Sequence, residues 1–212
     1  MRTRAALIRS AAEAFQRRGY GDATVAEIAA GAGVSTGALH FHFDNKGVVA
    51  RAVVETAGES LRDAVRRLRE RRVPALQVLV DMTHAFAVLF RDDVVVRAGF
   101  RLSGDHEALN EGPPLREEWH TCVEALCRRA AAGDELAEGV TYRTAARFVA
   151  SSTAGVELLG RENEEWLTPA GLTDFWRLAL PALARPGAEK ELRPDGDAEV
   201  LPVGEGLGAP AH

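Results

Sequence analysis

Residues Thr24 to Lys46, TVAEIAAGAGVSTGALHFHFDNK, constrain the fold more than any other part of the chain. They spell two short helices joined by a glycine turn, followed by the start of a third. Thr24 stands as an N-cap. Glu27 follows three residues on, where its carboxylate reaches back to the Thr24 amide in a capping box. Gly31 and Gly33 punctuate what comes next, because a glycine after a helix can take the left-handed backbone that a tight turn needs. Val34 plugs the turn. Ser35 is the next N-cap and opens TGALHFH. Caps and turn residues together spell a helix-turn-helix.

The second of these helices has two distinct sides. Leu39 and Phe43 are four apart and face inward together. Thr36, Gly37 and His40 point the other way and leave a low polar surface that suits the floor of a major groove. Asn45 caps a further helix with Lys46 in its first turn. A cation there opposes the helix dipole, unless a phosphate shares the site. The same local pattern also serves an ordinary αα-hairpin inside a helical bundle.

Charge favours the first alternative. Of 212 residues, the first 52 hold seven Lys/Arg against four Asp/Glu, and the rest hold nineteen against twenty-seven. A basic head on an acidic body suits a head that meets phosphate. The N-terminus, interrupted by Arg9 and Glu13, lacks a secretory apolar region. No apolar run is long enough to span a membrane, so a cytoplasmic protein is expected. Cys122 and Cys127 are five apart and complete no metal site, which makes them small buried side chains in a reducing compartment.

The remaining chain reads as helices throughout. Residues 4–18 carry a stripe of Leu7, Ile8, Ala11, Ala12 and Phe15 and stop at Gly19. Arg2 and Arg4 suit an arm toward phosphate as well as a solvated start. Lys46 to about Arg72 form a long helix. Pro74 starts another, 75–91, apolar on most of its circumference and so buried on all sides. Asp92 or Asp93 caps VVVRAGFRLSG, read as a short helix despite its β-branched run. Residues 104–114 form a loop. Helices follow over about 115–132, 141–159 and 169–184. In the second of these, Ala145, Phe148, Val149, Ser152, Val156 and Leu159 lie near one face. Pro181 kinks or ends the last. The stretch 186–212 is Pro, Gly and charge, and is expected to be disordered.

The combination of Gly19-Tyr20, Thr24, Glu27-Ile28-Ala29, Ala32-Gly33-Val34-Ser35, Gly37-Ala38-Leu39, Phe41-His42-Phe43 and Lys46 resembles the TetR family of bacterial repressors. GALHFHFDNK, VVVRAGFRLSG and the Trp119 helix resemble, more narrowly, the γ-butyrolactone receptors of actinomycetes. The resemblance implies an all-α protein in three parts. Residues 1–50 form a helix-turn-helix DNA-binding domain, 51–185 a ligand-binding and dimerisation domain, and 186–212 the tail. It implies a homodimer on inverted-repeat operator DNA, with Ser35, Thr36, Gly37 and His40 at bases or backbone and Thr24, His42 and Lys46 at phosphate. Position 40 is usually Tyr in this family. A histidine there gives up the phenol's reach and implies only a weak dependence of affinity on pH. The implied dimer face is 141–159 with 169–184. The implied pocket centres on Trp119, with Thr83, His84, Phe86, Phe90, Val123, Phe148 and Ser152. That lining suits an uncharged, largely apolar effector such as a γ-butyrolactone. A pseudo-receptor with the same head, answering to an antibiotic or pathway intermediate, fits the sequence as well.

An enzyme does not fit. His84, His106, His120, Cys122, Cys127 and Asp105 make no nucleophile–base pattern, and no glycine-rich phosphate loop is present. No cofactor and no metal are expected. A scaffold that binds neither DNA nor ligand would leave Lys46 and the caps without a purpose.

Overall fold

The computed structural model describes residues 2–104 and 115–197. Residues 105–114 of the expected loop, including His106, and the tail beyond Asp197 lie outside them. The described residues are helical, with an antiparallel bridge between Leu136 and Ala184 as the extended pairing among them. The helices are α1 (Arg2–Asp22), α2 (Val25–Gly31), α3 (Thr36–His42), α4 (Lys46–Arg69), α5 (Ala75–Asp92), α6 (Val94–Leu102), α7 (Leu115–Ala132), α8 (Tyr142–Gly160) and α9 (Pro169–Leu183). Short 3₁₀ turns stand at Glu164–Leu167 and Ala188–Glu191.

The chain forms two compact units. One joins Met1–Arg62 to Asp93–Glu118, and the other joins Asp63–Asp92 to Trp119–His212. The division falls within α4 and within α7. In the first unit α6 lies along α1. Val95, Ala98 and Leu102 of α6 share one buried cluster with Leu7, Ile8, Ala11 and Phe15 of α1, and with Ile28, Leu39, Phe43, Val49 and Val53. Asp93 caps α6 by accepting from the Val95 N–H at 2.8 Å, which turns the β-branched run into a helix start. The helical backbone of α1 breaks at Gly19 as expected, at φ 80° and ψ 171°, and a short further turn runs to Asp22. Arg4 belongs to this helix rather than to an arm, with its guanidinium 5.3 Å from the centre of the Phe43 ring.

In the second unit α5 is buried from Ala75 to Ala87 and again at Phe90. Its start has no side-chain cap of its own. The Glu135 carboxylate takes that place, accepting from the Ala75 and Leu76 N–H groups at 2.8 Å each, where the helix dipole also favours an anion. Pro181 sits near the C-terminus of α9, which ends two residues later. Thr141 and Thr168 cap α8 and α9, and Cys127 is buried, its thiol pushed up to about 12 by desolvation.

The C-terminal segment departs from the expectation of disorder. As far as Asp197 it is ordered, with Leu192 buried and Arg193 to Asp197 bonded to α5. Composition predicts disorder where apolar area is scarce, but here buried polar groups of α5 supply the anchor.

Candidate functional site

The helix-turn-helix is built as its caps demand. Thr24 Oγ1 accepts from the Glu27 N–H at 3.2 Å, and Glu27 Oε2 accepts from the Thr24 amide and hydroxyl at the same distance. The Thr24 amide above all, then its hydroxyl and Arg18, hold the Glu27 carboxyl below its ordinary value. Gly33 takes φ +69°, the left-handed turn position that a side chain would strain. Ser35 Oγ accepts from the Ala38 N–H at 3.1 Å and starts α3. Ile28, Leu39 and Phe43 anchor the hairpin at 0–2% exposure.

On the outer side, Ser35, Thr36, Gly37 and His40 are exposed together, and His42 is half-buried. Thr36, Gly37, His40 and Phe41 fall on one arc of α3, since each step along a helix turns about 100°. Phe41 is the residue that sequence reasoning passed over: it is 87% exposed, with its ring against the edge of His42 at 5.3 Å. The signal was available. Phe41 lies midway between Leu39 and Phe43, on a helix that can bury only one of those sides.

Lys46 has a use within the chain. Its ammonium donates to the carbonyls of Tyr20 at 2.8 Å, Gly21 at 2.9 Å and Ala23 at 3.1 Å, and lies 4.6 Å from the centre of the Tyr20 ring. Arg101 of α6 donates to the Gln16 carbonyl at 3.1 Å. Two cations thus cap the end of α1, where orphan carbonyls and the dipole favour them. The cation at the start of α4 therefore needs no phosphate to explain it. Thr24 likewise spends its hydroxyl on Glu27.

In the second unit, Thr83, His84, Phe86, Phe90, Trp119 and Val123 are all buried. Phe86 stands between two rings, with centroids 4.5 Å from Trp119 and 5.7 Å from Phe90. The Trp119 Nε1–H donates to Thr153 Oγ1 at 2.8 Å, and the Trp176 Nε1–H donates to Thr83 Oγ1 at 2.7 Å. Two residues of the expected pocket are elsewhere. Phe148 is 44% exposed and stacks on Phe175 at 5.5 Å, and the Ser152 hydroxyl donates to the Phe148 carbonyl of its own helix. The buried stripe of α8 is Ala145, Ala146, Val149, Thr153, Glu157 and Gly160, offset by about one residue from the one hydropathy suggests. Its polar members bond inside: Thr153 accepts from Trp119, and Glu157 pairs with Arg161. His84 turns to the C-terminal segment, its Nε2 2.9 Å from the Pro194 carbonyl oxygen. Among the described residues no group of three or more His, Cys, Asp or Glu could hold a metal ion, and no helix is long and apolar enough to cross a membrane.

The family model for bacterial regulatory proteins of the TetR family matches residues 7–53. Full-length TylP, a TetR regulator from Streptomyces fradiae, is 30% identical, with 93% of each chain covered and a TM-score of 0.68. The chain belongs to the TetR family. This TetR-family regulator is also 28% identical to the A-factor receptor protein of Streptomyces griseus over 198 residues, 92% of this chain and 68% of that one. A solved γ-butyrolactone receptor, described as ArpA-like, superposes with a TM-score of 0.76 at 28% identity, covering 94% of this chain and 92% of its own. The regulator thus resembles the γ-butyrolactone receptor subgroup, and its relatives are regulators of transcription, not enzymes.

Proposed function

We propose that this protein is a ligand-responsive transcriptional repressor that binds an inverted-repeat operator as a homodimer in the cytoplasm and leaves it when a small, largely apolar effector enters the body. The observation that carries the reading is the exposed arc of α3, held out by a hairpin whose opposite side is fully buried. Residues 1–50 act as the DNA-binding part and 51–185 as the effector and dimer part. Ser35, Thr36, Gly37 and His40 face the groove, with Thr24 and His42 toward phosphate. Lys46 adds positive potential from behind while holding the end of α1. Phe41 joins them as an apolar contact for thymine methyl groups. Two heads would occupy half-sites roughly 34 Å apart.

The dimer reading is supported by the exposed apolar side chains of α8 and α9: Leu178 at 82%, Leu158 at 59% and Phe148 at 44%. Such a patch on a helical face marks an interaction surface. The effector reading is supported by the ring cluster of Trp119, Phe86 and Phe90 with Val123 and Thr83, and by the likeness to receptors described as binding A-factor and γ-butyrolactones. About 3 kcal/mol of coupling would weaken operator binding on the order of 100-fold.

One observation favours the pseudo-receptor as a second reading. The Trp119 N–H already donates to Thr153, so a lactone carbonyl gains that donor only by displacing a buried hydroxyl. One experiment tests both. Gel-shift with fragments upstream of the protein's own and neighbouring genes gives a retained band, which is titrated with an alkyl γ-butyrolactone and, separately, with antibiotics. No retained fragment at moderate salt sinks the repressor. Release by antibiotics alone favours the second reading.

A further inference from the structure

Three polar side chains on one edge of α5 have partners that the effector reading does not use. Gln77, Asp81 and His84 follow one another at spacings of four and three, which puts them on one strip of the helix. They are 6%, 0% and 1% exposed. Residues 193–197 meet all three. Gln77 Oε1 accepts from the Arg193 N–H at 2.7 Å, while Gln77 Nε2 donates to the Arg193 carbonyl at 3.3 Å. One carboxamide therefore engages both backbone groups of a single residue. Asp81 Oδ1 accepts from the Asp197 N–H at 3.0 Å and from Gln77 Nε2 at 2.8 Å. His84 Nε2 reaches the Pro194 carbonyl, which selects the tautomer with its proton on Nε2. Arg71 joins the two sides: its guanidinium pairs with the Asp81 carboxylate and donates to Asp197 Oδ2 at 2.5 Å.

The segment is shaped for this strip. Arg193-Pro194-Asp195-Gly196 closes a turn, the Gly196 N–H donating to the Arg193 carbonyl at 3.0 Å, with proline in the second position where its fixed φ belongs. Gly196 has φ +69°, and a Cβ added there would lie 3.1 Å from His84 Cδ2. Only glycine both adopts that backbone and clears the imidazole. The Arg193 side chain contributes little: its contact with Asp197 is 3.8 Å, and it is 56% exposed. Without the turn, Asp81 would lose the Asp197 N–H and His84 the Pro194 carbonyl, while Asp81 would keep Gln77 and Arg71.

We propose that the Gln77–Asp81–His84 strip, with Arg71, is a recognition site for a Pro-Asp-Gly turn that ends in a carboxylate, occupied in cis by residues 193–197, and that this docking latches α5 in place. The site reads backbone groups, one glycine and one carboxylate. α5 is the helix worth latching, since it also holds Thr83 against Trp176 and Phe86 against Trp119. The latch is independent of any reading of DNA or effector.

Hydrogen exchange on the full chain, resolved to single amides, tests it. The Arg193 and Asp197 amides are expected to exchange about 100-fold more slowly than in an unstructured peptide, as protected amides do. In Gly196→Val that protection is lost, and amides of α5 from Asp81 to Phe86 exchange faster by about tenfold, the mark of a local opening. Arg193→Ala keeps both. Far-UV circular dichroism checks helix content. If Gly196→Val lowers it, Asp197→Ala, which removes the carboxylate that pairs with Arg71 and Arg193 without backbone strain, takes its place. The proposal is overturned if the wild-type segment exchanges at unstructured rates, or if Gly196→Val leaves it protected. Release of the segment with α5 unchanged also overturns it, as does Arg193→Ala releasing it equally.

Discussion

The α2–α3 hairpin and α5 bury their residues by opposite means. The hairpin is short, capped by its own side chains, and buries one side while its other side stays open. Its defining bonds join residues three apart, such as Thr24 with Glu27 and Ser35 with Ala38. α5 is enclosed on nearly every side, and its polar groups find partners far along the chain. Thr83 accepts from Trp176, and His84 meets Pro194. The comparison teaches that a helix offered to a partner must be ordered by local bonds, because one face gives it no packing. A helix at the centre of a bundle can leave its order to distant residues.

The contrast can be broken most severely in the second unit. Trp176 is fully buried and its N–H satisfies Thr83. Trp176→Ala should cost about 3–5 kcal/mol, chiefly for the cavity it leaves, read as a fall in the urea midpoint. Leu39→Ala removes the hairpin's central anchor and should cost roughly 2–4 kcal/mol, with operator binding lost as well. If Leu39→Ala proved the costlier of the two for global stability, the hairpin would not be the locally ordered element described above.

Smaller effects sharpen the comparison. Lys46→Met leaves three carbonyls at the end of α1 without their cation, and about 1–2 kcal/mol of stability should go with it, measured by thermal melting. Thr24→Ala removes the cap of α2 and should cost about 1 kcal/mol. The same cap carries a pH dependence. The Glu27 carboxyl is held below its ordinary value, so its contribution is complete above the ordinary carboxylate range and lost as pH falls through the lowered folded value. An acid titration of the Glu27 side chain by NMR checks the sign, and a value at or above that of Thr24→Ala would refute it. His40→Ala should leave the melting temperature unchanged and weaken operator affinity by roughly 1 kcal/mol, about fivefold, in a gel-shift titration.

Most of the first unit was readable in the chain. The Thr24–Glu27 capping box, the turn glycines and the spacing of Leu7, Ile8, Ala11 and Phe15 are statements about residues near one another in sequence, and the structure places them accordingly. The helix of Val94–Leu102 was readable too, once Asp93 was taken as its cap. The errors have one physical source. Hydropathy assigned Phe148 and Ser152 to the inner side of α8, but Thr153 goes inside because the Trp119 N–H is there to bond it. The carbonyl partners of Lys46 were not readable either, because they lie at the end of α1, more than twenty residues earlier.

The sequence by itself determined the elements, the helix-turn-helix and which side of α3 stays open, since each depends on bonds three or four residues long. Only the tertiary structure decided where buried polar groups are satisfied: Glu135 at the start of α5, Thr153 beneath Trp119, and Arg193 to Asp197 along Gln77, Asp81 and His84. A buried polar group is stable only with a partner, and that partner is chosen by how the chain packs, not by its neighbours in sequence.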